Sequence, residues 1–295
     1  MKRFLLVLFL FGCQQVVPVP EPTPIPEPTV EPTPTQTPTP EPTLTISEDL
    51  KKIIALIEGE SVKKQKYIPR PVLSTKDTKK LKGKSQSIKR DVRASISTTS
   101  KVVDLRSIET SVKDQGQEGL CTAFAVSAGM EMLARSNLDL SEKHLWSKYQ
   151  QYDTTYALFA SKKYLITSEN AWPYNLNKPL KRVRGVAKTD TYGELLAWDD
   201  VYKSLDEGKA VVLSAETNTS WSNPYMGVLR TTGTKQGGHA IKVSGYFDTS
   251  RGRYLIIKNS WGIAYGHKGY VYLPETYCDR HWCAFHVISQ VNVAK

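Results

Sequence analysis

Three residues far apart in the chain have the types needed for thiol chemistry: Cys121, His239 and Asn259. A cysteine thiolate is a strong nucleophile, but at neutral pH the thiol needs help to ionise. Cys121 follows the turn-forming run Gln115 to Gly119 in KDQGQEGLCTAF, where Gly116 and Gly119 allow a tight turn. It opens an apolar stretch that puts Phe124, Ala128 and Leu133 on adjoining helical turns. The spacing therefore predicts a helix N-terminus at Cys121, where free amides and the helix dipole favour a thiolate. His239, behind Gly237 and Gly238 in GGHAIKVSGYFD, leads into a strand and is the candidate base. Asn259 follows a strand in RYLIIKNSWGIAYGHKGYVYL; its side-chain oxygen can accept from one imidazole nitrogen and leave the other to face sulfur. Trp261 stands where it can shield that hydrogen bond from water. Taken singly, each residue also has a bland reading: a small buried cysteine, a core histidine, a turn asparagine.

Holding these groups together takes two kinds of scaffold. Residues from about 102 to 190 read as a helical lobe, and those from about 195 to 295 as a β-rich, barrel-like lobe. Strands are expected at Ala210 to Ala215, Ala240 to Tyr246, Tyr254 to Lys258, Tyr270 to Leu273 and His286 to Val293. Cys121 then comes from one lobe and His239 with Asn259 from the other. The fold class is α+β, two-lobed, with the site in the cleft between the lobes.

Four segments, VDLRSIETSVKDQGQEGLCTAF, LSEKHL, GGHAIKVSGY and IIKNSWGIAYGHKGY, resemble papain-like cysteine proteases in residue type and chain order. The resemblance covers roughly residues 102–295. It implies Cys121 as nucleophile, His239 as general base then acid, and Asn259 as the residue that orients it. It also implies Gln115 as an oxyanion-hole side chain beside the Cys121 amide, and Trp261 as a screening indole. Gly237 and Gly238 would support the substrate cleft. The reaction implied is acyl transfer through a thioester, without a cofactor or metal, on protein or peptide substrates. Departures accompany it. Glu118 and Thr122 replace a frequent cysteine and a frequent aromatic beside the nucleophile, and a Cys-x-Gly-Gly-type cleft wall is missing between Leu145 and Trp172. The usual helical propeptide motif is not evident in residues 45–101. Two other functions fit such a chain: a papain-like surface module that binds without turnover, and an envelope amidase acting on peptidoglycan stems.

The N-terminus adds a location. MKRFLLVLFLFGC has Lys2 and Arg3 ahead of an apolar run from Phe4 to Phe11. That run is too short to span a bilayer and reads as a signal peptide over residues 1–12. Leu10 to Cys13 resembles a bacterial lipoprotein signal, which implies a lipid on Cys13 and an exported, membrane-anchored protein facing the periplasm or cell exterior. The Pro-Thr-Glu repeat up to residue 44 reads as an extended polyproline-like spacer, about 80 Å at ~3.1 Å per residue.

Charge narrows the partners. The net charge of +11 divides into −4 for residues 1–50, +11 for 51–101 and +4 for 102–295. The basic excess sits in a connector, so a nucleic-acid groove is not expected, and the domain is expected to be monomeric. Within residues 45–101, DLKKIIALIE reads as a short amphipathic helix. Lys76 to Arg93 reads as a solvated linker, with a pro-segment clipped near Lys89-Arg90 or Arg93, or a patch for anionic envelope polymers, as alternatives. Cys278 and Cys283 in YCDRHWC are either a short-loop disulfide or two free thiols; His281 between them offers only a weak metal site. His144, His267, His281 and His286 read as surface or packing residues.

Overall fold

The computed structural model describes residues 47–59, 70–83, 85–88, 101–135 and 137–294. Cys13, the signal peptide, the proline-rich spacer and the Lys89-Arg90 and Arg93 positions lie outside the described residues.

Helices are α1 (Glu48–Gly59), α2 (Thr75–Lys82), α3 (Cys121–Ala134), α4 (Glu142–Ser147), α5 (Thr154–Lys163) and α6 (Trp198–Asp206). Strands are β1 (Val102–Asp104), β2 (Ile166–Thr167), β3 (Gly185–Leu195), β4 (Ala210–Asn218), β5 (Lys235–Thr249), β6 (Gly252–Lys258), β7 (Tyr270–Pro274) and β8 (Cys283–Val293). All eight strands join one antiparallel sheet in the order β2-β3-β8-β4-β5-β6-β7, with β1 paired to β5. The five expected strands are present. The sheet also reaches back into the range read as helical, through β2 and β3. Only Ala187, Thr189 and Leu195 of β3 are buried, so its sequence carries no clear apolar alternation to announce it.

The core forms where α3 lies on the inner strands. Val126 and Met130 of α3 are fully buried with Val211 and Leu213 of β4 and Ile288 of β8. Gly129 lets the helix come close, since a Cβ there would meet Ile288 and Ala210 at 3.1 and 3.2 Å. Helix α1 belongs to a second cluster. Its Leu50, Ile53 and Ile57, spaced three and four apart, pack on Val102, Phe247, Ile256 and Tyr272. Ser47 starts this helix by accepting the Leu50 amide at 3.2 Å.

Beneath the sheet lies a buried ion pair between Lys242 on β5 and Glu109, their side chains 1 % and 0 % exposed. The Lys242 ammonium also donates to the Val243 carbonyl, and the Tyr270 hydroxyl to Glu109. Lys242→Met would strand the carboxylate without its counter-charge and is expected to cost about 3–5 kcal/mol by chemical denaturation. Adding Glu109→Leu should restore most of that loss. A cost under about 1 kcal/mol for the single change would show that the pair is dispensable.

Candidate active site

Cys121 is the first residue of α3, directly after Leu120, and is 1 % exposed. The turn before it is pinned from several sides. Gly116, at φ +57°, donates its amide to Asp114 Oδ1 at 2.9 Å, and the Gln115 amide donates to the Ser260 carbonyl at 2.8 Å. Glu118 forms an ion pair with Lys143 of α4, at 2.6 Å. A charge pair thus ties this loop to α4 from the position where a disulfide cysteine was the more frequent residue. Thr122 shares a hydrogen bond of 2.7 Å with the buried Tyr149 hydroxyl, so a polar contact occupies the place of an aromatic one.

His239 and Asn259 come from β5 and from the end of β6. The His239 Nε2 lies 2.8 Å from Asn259 Oδ1, which also accepts the Ser260 amide at 2.7 Å. A carboxamide oxygen carries no hydrogen and can only accept, so Nε2 carries the proton and Nδ1 carries the lone pair. That Nδ1 is buried and makes no hydrogen bond. Trp261 stacks on the imidazole, ring centroids 4.5 Å apart and 22° between planes, and covers the His–Asn hydrogen bond. Trp221, which the sequence did not single out, meets both rings edge-on at 6.1 and 6.4 Å.

The thiol and the ring are drawn toward neutrality. Burial pushes the Cys121 thiol up to about 11, against the amides of Ala240, Thr122 and Cys121 itself, which favour the thiolate. Ala240 directly follows His239, so the sulfur sits against the base's own strand. Burial pulls His239 down to about 4, against its hydrogen bond with Asn259. The expected gain from the helix N-terminus is therefore present in the geometry but outweighed by desolvation.

Gln115 is fully buried beside them. Its Nε2 donates to the Glu118 carbonyl at 2.7 Å, and its Oε1 accepts from the Ser260 hydroxyl at 2.6 Å. One amide hydrogen is thereby committed, and the second remains for an oxyanion.

The covering of the site lies in the basic connector, where a solvated linker was expected. Leu73 pairs with Gly238 as an isolated antiparallel bridge, its amide donating to the Gly238 carbonyl at 2.8 Å and the reverse bond at 3.2 Å. A Cβ on Gly237 would fall 2.0 Å from the Leu73 carbonyl, so only glycine admits this close approach. The Leu73 side chain lies against Gly119, two residues before the nucleophile. Ser74 then caps α2 by accepting the Asp77 amide, and Leu81 of α2 is fully buried against Gly238. On one side Arg70 donates to the Ser222 carbonyl at 2.7 Å and lies over the Tyr265 ring. On the other, the Ile88 amide donates to the Cys283 carbonyl at 2.8 Å. Residues 70–83 and 85–88 thus form a strap across the site. Leucines at 73 and 81 in a basic stretch were the available signal, too sparse to declare a face.

Cys278 and Cys283 are joined in a disulfide at the foot of β8, which removes the free-thiol and metal readings for that loop. His281 stacks on Tyr277, His144 accepts the Thr167 amide, His286 bonds Ser85 of the strap, and His267 bonds the Tyr272 hydroxyl. Among the described residues no group of three or more His, Cys, Asp or Glu could hold a metal ion.

Similarity to known proteins covers the same region. Cysteine proteinase 3 of Entamoeba histolytica is 27 % identical over 207 residues, 63 % of this chain and 66 % of that protein. Cathepsin K of Gallus gallus is 31 % identical over 187 residues, 56 % of this chain and 55 % of that protein. The chain spans between about half and two thirds of the length of the curated relatives it matches. Among solved structures, xylellain, a cysteine protease from Xylella fastidiosa, superposes with a TM-score of 0.56 at 21 % identity, over 79 % of this chain and 99 % of that one. The bromelain protease of Ananas comosus superposes at 0.52 over 64 % of this chain and 99 % of that one. Both share the fold. The family model of papain family cysteine proteases matches residues 99–287, and the chain belongs to that family.

Proposed function

We propose that the protein is a cysteine peptidase that hydrolyses peptide bonds at the cell envelope, with Cys121, His239 and Asn259 as its catalytic set. One observation carries this reading: Asn259 fixes the proton on Nε2 of His239 and leaves a buried, unpartnered Nδ1 on the strand that abuts the Cys121 sulfur. Nδ1 takes the thiol proton as sulfur attacks the substrate carbonyl. The oxyanion accepts from the Cys121 amide and from the remaining Gln115 N–H. Imidazolium then returns the proton to the leaving amine, and a thioester stays on Cys121. Water, deprotonated by His239, attacks that thioester and releases the acid with regeneration of the thiol. Substrates are proteins or peptides, and the domain works as a monomer. The location rests on the sequence of residues 1–13, read as a signal peptide with a lipid on Cys13.

Residues 45–101 act in this reading as a removable pro-segment, because Leu73 and Leu81 occupy the ground a substrate needs. The same covering favours a second reading, a papain-like module that binds without turnover. An epoxide affinity reagent separates the two. In the processed protein it should add once per chain, on Cys121 by peptide mapping, and stop hydrolysis of casein and fluorogenic peptides in step with labelling. A folded, processed sample that takes up the reagent yet cleaves neither substrate would sink the peptidase reading.

A further inference from the structure

The strap does more than lie over the catalytic groups; it delivers one charged side chain to a place built to receive it. Glu216 on β4 stands opposite Gly238 of β5, and Ala215 stands opposite His239. Paired residues of neighbouring antiparallel strands project to the same side of the sheet. The Glu216 side chain therefore rises on the face where the strap crosses Gly238. Its side chain is only 15 % exposed. The Trp282 amide donates to Oε2 at 3.1 Å and holds the carboxylate in one orientation. Lys82, the last residue of α2, places its ammonium 3.0 Å from Oε1 and 5.5 Å from the centre of the Trp282 ring. A carboxylate fixed by a backbone amide beside an indole face is a cradle for a long basic side chain, through a charge-assisted hydrogen bond and a cation–π contact. Lys235 reaches Oε2 at 3.2 Å from the rim, but it is largely exposed and leaves Oε1 to Lys82.

We propose that Glu216 and Trp282 form a subsite for a lysine or arginine side chain of the substrate, which Lys82 occupies while the strap is in place. This rests on the peptidase reading above. The exchange is chemically even: one basic side chain leaves and another enters, so the carboxylate is never left without a cation. Burial works against ionisation of Glu216, yet the Trp282 amide and the Lys82 and Lys235 ammonium groups hold its carboxyl down at about 2. With the strap in place, the carboxylate is thus charged at every pH where a thiol enzyme works. Trp282 limits the choice to side chains with a long apolar stem, and the Glu216 carboxylate rejects acidic residues.

The test uses the full-length chain with Leu73→Asp and Leu81→Asp, which lifts the strap, on a positional library of fluorogenic peptides. At one position lysine and arginine should exceed norleucine about tenfold in kcat/KM, with glutamate lowest. Glu216→Gln should bring the lysine-to-norleucine ratio to about one, and Glu216→Lys should reverse the order toward glutamate. Should the double aspartate chain fail to fold, Lys82→Glu replaces it, since that strap is repelled by Glu216. Hydrolysis with no basic preference at any position, or a preference that survives Glu216→Gln, overturns the subsite. Binding is read separately by anisotropy of labelled peptides on the same chain carrying Cys121→Ala. Equal affinity for lysine and norleucine peptides overturns the subsite even if no peptide is ever cleaved, whereas lysine-selective binding without hydrolysis by the thiol-bearing chain refutes the peptidase reading alone.

Discussion

Cys121→Ala removes peptide hydrolysis by the processed protein, a fall of at least about 10⁴-fold in kcat, with the melting temperature nearly unchanged. The size follows from the role: without sulfur there is no thioester, and what remains is whatever rate the oxyanion donors give to water. The small structural effect follows from the site, because Cys121 contributes one small side chain at the start of α3 and the loop before it is held by Gln115, Asp114 and the Glu118–Lys143 pair. Cys121→Ser should be nearly as poor, since a hydroxyl is far less acidic than a thiol and His239 is already drawn toward neutrality. The parallel change Asn259→Ala should leave hydrolysis measurable but weakened. It frees Nε2 and lets the imidazole take the other tautomer, with its proton toward sulfur. Residual activity of Cys121→Ala within tenfold of the parent would show that another group is the nucleophile.

The sequence made this chemistry readable because the catalytic residues sit in short, locally specified settings. Cys121 opens a helix that the turn at Gln115 to Gly119 announces, and Asn259 and Trp261 flank the end of an apolar strand. His239 follows two glycines whose purpose is backbone approach. The part that stayed hidden depends on contacts between segments remote in sequence. Leu73 and Leu81 gain their meaning only from Gly238, more than 150 residues away. The strap has one short helix and a basic composition, which is also what a solvated linker looks like. β3 was missed for a related reason: it is polar, and its pairing with β8, not its own side chains, makes it a strand. Glu216 shows the same limit at the site. In AVVLSAETN it is an ordinary polar residue at a strand end, until Lys82 and Trp282 arrive beside it.

Leu73→Asp with Leu81→Asp raises hydrolysis by the full-length, unprocessed chain about 10²- to 10⁴-fold. Burying a leucine contributes about 1.5–3 kcal/mol, so losing two such contacts weakens strap docking by about 3–6 kcal/mol. Each 1.4 kcal/mol is a factor of ten in the population of the open cleft. Of the remaining anchors, Arg70 on Ser222 and Lys82 on Glu216 are polar and exchange readily with water, while Ile88, buried beside Cys283, is the one apolar anchor left at the far end of the strap. The titration of the site gives the second readout. With the strap in place, the thiol at about 11 and the imidazole at about 4 are both neutral from pH 5 to 10. Removing the cover admits water, which stabilises charge on both groups. The thiol value then falls and the imidazole value rises, so a thiolate–imidazolium pair becomes populated near neutrality. Alkylation of Cys121 by iodoacetamide should therefore be slow in the parent until pH exceeds about 10, and fast at pH 7 in the double variant. Identical alkylation profiles for the two chains would mean that the strap neither covers the sulfur in solution nor sets its ionisation.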